Sequence, residues 1–243
     1  MCSYVNRVVL PGDEIENLKE SEKTHKVLLG PGLYREADSV FASKPGVLKF
    51  KEPNVYWVDC QQRRYVPARG DGVIGVVMAK AGDVFRVDVG GSGLATLSYL
   101  AFEGATKRNR PDVKVADLIH ARFIVANKDM EPELTCIDGQ GRSSGFGVLR
   151  GDTCFMLTCS INLCRQILTP QCVLMKSLGK GIPFESVVGL NGRVWVKTRS
   201  VKETIAVVNA IQAAENMTND QIKSMCTRLM DSLAGFSSEE MET

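Results

Sequence analysis

The sequence holds few of the residues from which metal and redox sites are built. It has two histidines, and no two of its eight cysteines stand at Cys-x-x-Cys spacing. Zinc sites draw their ligands from such short Cys and His spacings. We therefore expect no metal and no cofactor, and we interpret the scattered thiols as small buried side chains in a reducing compartment.

Long apolar runs are also absent. No segment approaches the roughly 18 consecutive apolar residues that a membrane-spanning helix needs, so we expect no membrane partner. Residues Met1 to Leu10 lack a continuous apolar stretch behind a basic start, which gives no sign of a secretory signal. We expect the chain to reside in the cytoplasm or the nucleus.

Excess charge of one sign is missing as well. The formal net charge is +2 over 243 residues, of which 44% are hydrophobic and 24% charged. That composition is typical of a packed globular protein, whereas proteins that coat nucleic acid indiscriminately are more basic. Any RNA must therefore be bound through local patches, and the sharpest patch is Lys107-Arg108-Asn109-Arg110.

Residues 1–66 consist of short apolar pieces separated by turn residues. Val27-Leu28-Leu29 ends at Gly30-Pro31-Gly32, and Val40-Phe41-Ala42 ends near Pro45-Gly46. Extended pieces interrupted by Gly and Pro predict a small β-domain at the amino terminus.

Residues 67–149 carry a sharper strand pattern. We predict five strands, over residues 71–79, 83–90, 94–100, 117–126 and 133–137. Five strands with Gly-rich turns in so short a segment favour a closed barrel of the oligonucleotide-binding (OB) kind. Because successive side chains alternate between the two faces of a strand, we expect the core to be lined by Phe85, Val87, Val89, Ile119, Ala121, Phe123 and Val125. Arg86, His120 and Arg122 then face outward from the barrel wall.

Residues 150–243 mix strands and helices. Two strands, 184–188 and 193–197, are joined by Leu190-Asn191-Gly192, and Asn-Gly between apolar runs predicts a hairpin with positive φ at both turn residues. Capping boxes at Ser200 and Thr218 open two helices, and the first carries Val201, Ile205, Val208 and Ile211 on one face. Trp195 lies in a hairpin strand, where core or interdomain packing is favoured over base stacking.

Motifs in all three segments carry a resemblance to a known family. They are Tyr-Trp-Val-Asp-Cys-Gln-Gln-Arg-Arg-Tyr-Val-Pro at 56–67, Gly-Val-Ile-Gly at 72–75, Val-Asp-Val-Gly-Gly at 87–91, Leu-Ser-Tyr-Leu-Ala-Phe-Glu-Gly-Ala-Thr-Lys-Arg-Asn-Arg-Pro at 97–111, Ala-Asn-Lys-Asp-Met-Glu-Pro-Glu at 126–133 and Gly-Leu-Asn-Gly-Arg-Val-Trp-Val-Lys at 189–197. From about Val27 to Leu233 the sequence resembles the S1/KH cap proteins of the eukaryotic RNA exosome, which take part in ribosomal-RNA processing.

The resemblance implies a multidomain fold, mainly β with an α+β part. Its modules are an amino-terminal β-domain (1–66), an S1-type OB barrel (67–149) and a KH-type domain with carboxy-terminal helices and an acidic tail (150–243). It also implies RNA as the ligand. The implied protein partners are a ring of six proteins related to phosphorolytic ribonucleases, the other cap subunits and the associated nucleases. The implied locations are nucleus, nucleolus and cytoplasm, and no small-molecule substrate is expected.

Two departures from the usual pattern of such modules bear on RNA binding. S1-type barrels often carry outward aromatics, each worth about 1–3 kcal/mol per stacked base, but the outward set here contains none. KH domains usually clamp nucleic acid with a Gly-x-x-Gly loop between two helices, where this chain has Leu168-Thr-Pro-Gln-Cys172. The Gly-x-x-Gly motif at Gly189 to Gly192 falls on the hairpin instead. We therefore expect Gly189, Asn191 and Gly192 to be structural and the KH module to serve packing.

The candidate RNA-binding residues fall into three groups. Lys107, Arg108 and Arg110 can meet successive phosphates, although a solvated loop or a loop docked on an acidic partner would have the same composition. Arg86, His120 and Arg122 form the second group, and Lys128, in a loop that contributes to ligand binding in this fold, is the third.

Three functions remain open on the sequence alone. The first is an exosome cap that guides RNA to the pore and stabilises the ring. The second is a free-standing S1/KH module, for example one associated with ribosomes. The third, an enzyme, is disfavoured, because Asp129, Glu131 and Glu133 have no second acidic cluster with which to form a two-metal nuclease site.

Overall fold

The computed structural model describes residues 4–15, 27–52, 54–60, 64–127 and 129–239, with backbone alone for 233–239. The chain divides into two compact units, Met1–Gln62 and Arg63–Thr243. The chain is mostly β with some helices, as expected.

The first unit is a small β-domain with two sheets. Its strands are β1 (Val8–Val9), β2 (Leu28–Leu29), β3 (Leu33–Glu36), β4 (Ser39–Ala42), β5 (Gly46–Lys51) and β6 (Val55–Asp59). One sheet has the order β1-β5-β6-β2 and the other is the hairpin β3-β4. Leu48, Tyr56 and Val58 alternate with more exposed neighbours on β5 and β6 and form the core of the domain with Val9 and Val40.

The second unit begins with a closed barrel. Its strands are β7 (Gly72–Ala81), β8 (Val84–Asp88), β9 (Ala95–Ser98), β10 (Leu118–Val125) and β11 (Glu133–Thr135), and β12 (Gly147–Leu149) adds to the edge of β10. The sheet order is β11-β9-β8-β7-β10-β12, and a further pairing of β11 with β10 closes the barrel. Five strands form the predicted closed barrel, and β12 is an addition that the sequence pattern did not predict.

Alternation places the side chains of the barrel as expected, with one exception. Phe85, Ile119 and Phe123 are each at most 2% exposed. Val125 is only half-buried, so its assignment to the core was wrong. The register between β10 and β11 shifts between Phe123 and Val125, and such a bulge interrupts the alternation of faces.

The KH module follows with strands β13 (Cys154–Thr158), β14 (Phe184–Val188) and β15 (Arg193–Thr198). They form an antiparallel sheet of order β13-β15-β14. The helices are α1 (Ile161–Leu168), α2 (Val173–Gly181), α3 (Val201–Ala213) and α4 (Asn219–Glu239). Buried residues of all four helices pack with Leu157, Val194 and Val196 on one face of this sheet.

Helix α3 begins where its capping box predicts, but only part of its predicted apolar stripe is buried. Val208 and Ile211 are buried as expected. The Ser200 hydroxyl accepts a hydrogen bond from the Glu203 N–H at 3.3 Å. Val201 and Ile205, which the sequence pattern assigned to the apolar stripe, are 61% and 55% exposed. Thr204 faces the sheet instead, because its hydroxyl is satisfied there by the Thr153 carbonyl at 2.8 Å.

Candidate RNA interface

The basic loop predicted from the sequence is braced by its own hydrogen bonds. The Thr106 N–H donates to the Asn109 carbonyl at 2.9 Å, and the Asn109 N–H donates to Thr106 Oγ1 at 3.0 Å. The Asn109 side-chain amide also donates to the Gly104 carbonyl at 3.3 Å. Lys107 and Arg108 therefore occupy the centre of a tight turn, and both are exposed.

Arg110 connects this loop to the turn between β7 and β8. Its Nη2 lies 3.2 Å from Asp83 Oδ1, and its guanidinium lies 4.9 Å from the centre of the Tyr99 ring. The Tyr99 N–H in turn donates to the Asp83 carbonyl at 3.2 Å. The positive charge of Arg110 is thus already paired. We interpret Arg110 as a residue that positions the loop against Asp83 and Tyr99.

Lys107 and Arg108 differ from Arg110 in this respect. Within the part of the chain that the structure describes, neither forms an ion pair or a side-chain hydrogen bond. Each positive charge is therefore available to a phosphate, and neighbouring cations on a braced turn can meet neighbouring phosphates of a single strand. Of the predicted residues, these two have the arrangement best suited to an RNA backbone.

Arg86 lies on β8 and is also paired. Its Nη1 is 2.8 Å from Glu131 Oε2, and its side chain is 35% exposed. Glu131 belongs to the connection between β10 and β11, so this ion pair links that connection to β8. Lys128, in the same connection, lies outside the described residues, and its predicted RNA contact stays a prediction.

His120 forms an aromatic pair that the sequence pattern did not predict. Its ring centre is 4.6 Å from that of Phe146, and its Nδ1 lies 3.0 Å from the Gly145 carbonyl. Burial lowers the pKa of His120 below 6.5, despite the opposing hydrogen bond to Gly145. The imidazole is therefore mainly neutral at pH 7, which suits stacking better than phosphate binding.

Phe146 directly precedes β12. This strand was not predicted from the sequence because it has only three residues. Gly72 lies beneath the pair, since a Cβ there would be 3.4 Å from His120 Nε2 and 3.9 Å from the Phe146 ring. A signal for this surface existed in the alternation of His120 with buried Ile119 and Ala121. The pattern did not predict that Phe146 lies beside His120, next to the edge of β10 that pairs with β12.

The predicted barrel residues do not form one cluster. Arg122 is on the same wall as His120, where its Nε donates to the Gly70 carbonyl at 3.0 Å. Along β7, His120 is opposite Ile74 while Arg86 is opposite Ala79. The barrel thus carries separate polar surfaces, one with Arg86 and one with His120 and Arg122.

The hairpin of the KH module is anchored in the barrel by Asn191. Its Oδ1 accepts from the Ile74 N–H at 3.2 Å, while its Nδ2 donates to the carbonyls of Ile74 at 2.8 Å and of Val89 at 2.9 Å. The residue is 6% exposed. Every hydrogen of the side-chain amide is engaged, so a buried polar group is fully satisfied here.

The glycines on either side of Asn191 permit this close approach. A Cβ at Gly189 would lie 2.3 Å from Asn191 Oδ1 and 2.8 Å from the Ile74 nitrogen, and one at Gly192 would lie 2.7 Å from the Cys159 carbonyl oxygen. The predicted hairpin is confirmed, but the predicted turn geometry was wrong. Of the hairpin residues Gly192 has positive φ, at 79°, and Asn191 does not, because the Asn191 side chain is drawn into the barrel.

Arg193 adds a second connection between hairpin and barrel. Its Nη2 lies 2.6 Å from Asp88 Oδ2, and its Nη1 donates to the Asp88 carbonyl at 2.7 Å. Burial raises the pKa of the Asp88 carboxyl, but the hydrogen bonds from Arg193 and the Gly90 N–H outweigh it and hold the pKa below 3.8. Trp195, on the same face of β15, is 3% exposed.

The usual nucleic-acid clamp of a KH domain is missing from the turn between α1 and α2. That turn, residues 169–172, carries no charged side chain and no glycine. The Gly-x-x-Gly of the KH module, Gly189 to Gly192, lies at the barrel contact instead, where it packs against β7. The described residues contain no group of three or more His, Cys, Asp or Glu side chains placed to hold a metal ion. Among the same residues, no helix is long and apolar enough to cross a membrane.

Comparisons with known protein families match all three modules. Residues 7–61 match the amino-terminal domain of mammalian exosome complex component RRP40, residues 65–147 match the S1 domain of exosome complex component RRP40, and residues 155–202 match a KH domain. The match to the S1 domain contains both barrel surfaces described above.

Relatives extend the similarity over nearly the whole chain. The exosome complex component RRP40 of Homo sapiens is 46% identical over 95% of this chain and 92% of its own length. That of Drosophila melanogaster is 48% identical over 95% of this chain and 99% of its own length. The chain belongs to the RRP40 family of exosome complex components. The family resemblance expected from the sequence motifs is thereby confirmed.

A solved structure shares the fold of the RRP40 family chain at lower identity. A putative exosome complex RNA-binding protein superposes with a TM-score of 0.55 and 23% identity, over 68% of this chain and 96% of that one. The likeness supports the S1 and KH architecture.

Proposed function

We propose that this chain is a non-catalytic cap subunit of the RNA exosome, which binds RNA and guides it into the central pore while it stabilises the ring. The observation that carries the proposal is the similarity to RRP40 proteins over 95% of the chain, with 46% and 48% identity to the human and fly relatives. The proposed partners are the ring subunits related to phosphorolytic ribonucleases, the other cap subunits and the associated nucleases.

The geometry supports a backbone-binding role for the barrel. Lys107 and Arg108 are exposed on a braced turn, and their charges are not compensated by described residues. Such contacts bind RNA by charge and carry no sequence information, which suits a subunit that guides many RNAs. His120 and Phe146 offer a small aromatic surface on the other wall.

Affinity purification of the tagged chain from its native cells, after nuclease treatment, tests the cap proposal. We expect the ring proteins in stoichiometric amounts, as identified by mass spectrometry. Recovery of the chain alone would contradict the proposal and leave a free-standing RNA-binding module.

The non-catalytic part of the proposal has its own test. Purified chain incubated with labelled RNA and divalent metal should leave the RNA intact. Degradation that a point mutation in this chain abolishes would contradict it.

The proposed locations are the nucleus, the nucleolus and the cytoplasm, where exosome subunits act on RNA, including ribosomal RNA. Fluorescence of the tagged chain at its native expression level checks this. Signal confined to one of these compartments would restrict the proposal to it.

A further inference from the structure

Strand β13 lies at the edge of the KH sheet and leaves one side of its backbone unpaired. Its partner is β15, with Phe155 opposite Val196 and Leu157 opposite Val194. The Cys159 N–H continues this ladder by donating to the Gly192 carbonyl at 2.8 Å. Since alternate residues of an antiparallel strand point their N–H and C=O groups to the same side, Cys154, Met156 and Thr158 point theirs away from β15.

No described residue forms a backbone hydrogen bond with those outward groups. An edge of this kind is a template for another strand, and natural proteins usually cover or blunt it. On β13 neither a proline nor a lysine does so.

An apolar groove runs beside the same edge. Leu157 faces the helix side of the sheet, where it belongs to the KH core, so Phe155 faces that side too. Phe155 is nevertheless 53% exposed, and across the groove Val201 and Ile205 of α3 are 61% and 55% exposed. The groove has a volume of about 410 Å³, which is within the range of specific ligand sites.

The charge of the groove decides between classes of occupant. Among its lining residues the one charged side chain is Asp152, at the end where β13 begins, and the rest are neutral, such as Asn209 and Gln212. Asp152 is exposed and forms no ion pair with a described residue. A groove with one carboxylate and no cation repels a phosphate backbone, whereas it complements a peptide that carries a lysine or arginine.

We propose that the groove between β13 and α3 binds an extended segment of a partner protein, which adds as a strand along β13. Main-chain bonds to Cys154, Met156 and Thr158 would align the segment. Its alternate side chains, apolar in type, would enter the groove over Phe155, Val201 and Ile205, as in other strand-addition sites. A basic residue of the segment pairs with Asp152. This site is independent of the proposed RNA surfaces on the barrel and of the assignment as a cap.

The first experiment selects ligands from a phage-displayed library of random peptides on the full chain. Enriched peptides are then synthesised with a fluorescent label, and their binding is measured by anisotropy. We expect apolar residues at alternate positions and a Lys or Arg to one side. Failure to enrich any peptide, or enrichment without this pattern, would overturn the proposal.

Variants then locate the binding. Ile205→Lys places a charge in the groove, and Met156→Pro removes one outward N–H without loss of a bond to β15, because proline is tolerated where the N–H of an edge strand faces solvent. Each variant should lower the affinity for the selected peptide by about tenfold or more. Ile124→Lys, at an exposed isoleucine of the barrel, is the matched control and should leave the affinity unchanged.

The milder variant Ile205→Ala keeps the test valid if a charged variant is poorly folded, since truncation of an exposed side chain is tolerated. This variant should also lower the affinity for the peptide. Two other outcomes would contradict a peptide ligand. If Ile205→Lys lost oligoadenylate binding, the groove would be assigned to RNA. If Ile205→Lys lost self-association, the groove would be assigned to a second copy of the chain.

Discussion

The side chain of Asn191 brackets the backbone of Ile74, because it accepts a hydrogen bond from the Ile74 N–H at 3.2 Å and donates one to the Ile74 carbonyl at 2.8 Å. The first residue is in the KH hairpin and the second is on β7 of the barrel. The two modules of the second unit are therefore joined at the backbone of a central strand.

Replacement of Asn191 by alanine should destabilise the second unit. It would leave the buried Ile74 N–H and the Val89 carbonyl without these partners, and each such group costs about 1–3 kcal/mol. The Ile74 carbonyl would keep a hydrogen bond from Arg193 Nη1 at 3.3 Å. We expect a total loss of about 2–4 kcal/mol, below the sum because water and relaxation compensate in part. Urea unfolding followed by circular dichroism measures it.

Asn127→Ala, at an exposed position, is the control and should change the unfolding midpoint little. An Asn191→Ala protein as stable as the wild type would mean that the hairpin contact does not stabilise the fold.

A methyl group at Gly189 should also destabilise the fold. The added Cβ would lie 2.3 Å from Asn191 Oδ1 and 2.8 Å from the Ile74 nitrogen, and overpacking of this kind costs about 1–3 kcal/mol. Gly139→Ala is the matched control, since nothing lies within 4 Å of its Cβ. Equal midpoints for both alanine variants would contradict the packing described here.

Loss of the cations at the centre of the basic loop should reduce the salt dependence of RNA binding. Each phosphate contact to a single strand contributes about −0.7 to the slope of log affinity against log salt concentration. The double variant Lys107→Ala/Arg108→Ala should therefore flatten the slope by up to about 1.4. Fluorescence anisotropy with labelled oligoadenylate over a salt series measures it.

Arg110→Ala has a different expected effect, because Arg110 is paired with Asp83 and holds the loop in place. It should weaken binding with less change in slope. An unchanged slope in the double variant would remove Lys107 and Arg108 from the interface.

The His120 imidazole should make stability depend on pH. Its pKa in the folded chain is below the ordinary 6.5, mainly through burial. The unfolded state therefore binds protons more readily in this range. Stability is retained above pH 6.5 and falls as the pH drops from there through the lower folded value.

His120→Gln should reduce this acid-side loss in thermal unfolding between pH 7.5 and pH 5.5, values that bracket the ordinary histidine pKa of about 6.5. His25 is present in both proteins and so cancels in the comparison. An identical pH profile for the two would show that the environment of His120 does not favour the neutral form.

The sequence pattern predicted what local periodicity controls. The five barrel strands, the hairpin and the helix caps follow from alternation, turn residues and capping boxes, each of which depends on neighbours in the chain. The position of the basic loop could also be read in this way. Its internal bracing by Thr106 and Asn109 could not, because it depends on the fold of the loop itself.

Other features depend on residues far apart in sequence. Phe146 joins His120 across 26 positions of the chain, which no local pattern encodes. Helix α3 faces the sheet with Thr204 because the Thr204 hydroxyl donates to the Thr153 carbonyl, just before β13. Apolar periodicity cannot detect such a polar contact, so it placed Val201 and Ile205 on the wrong side.

The insertion of the KH hairpin into the barrel also changes how the second unit would respond to load. A Gly-x-x-Gly loop that clamps RNA contacts the nucleic acid, whereas this one is held by Asn191 and Arg193 to the backbone of β7 and β8. If RNA binds at Lys107 and Arg108 as proposed, force on that RNA would reach the KH sheet through β7 and β8 and the hydrogen bonds of Asn191 and Arg193. The barrel and the KH sheet would then respond to such force as one body. Substitutions at the hairpin would weaken RNA binding although the hairpin contacts no nucleotide.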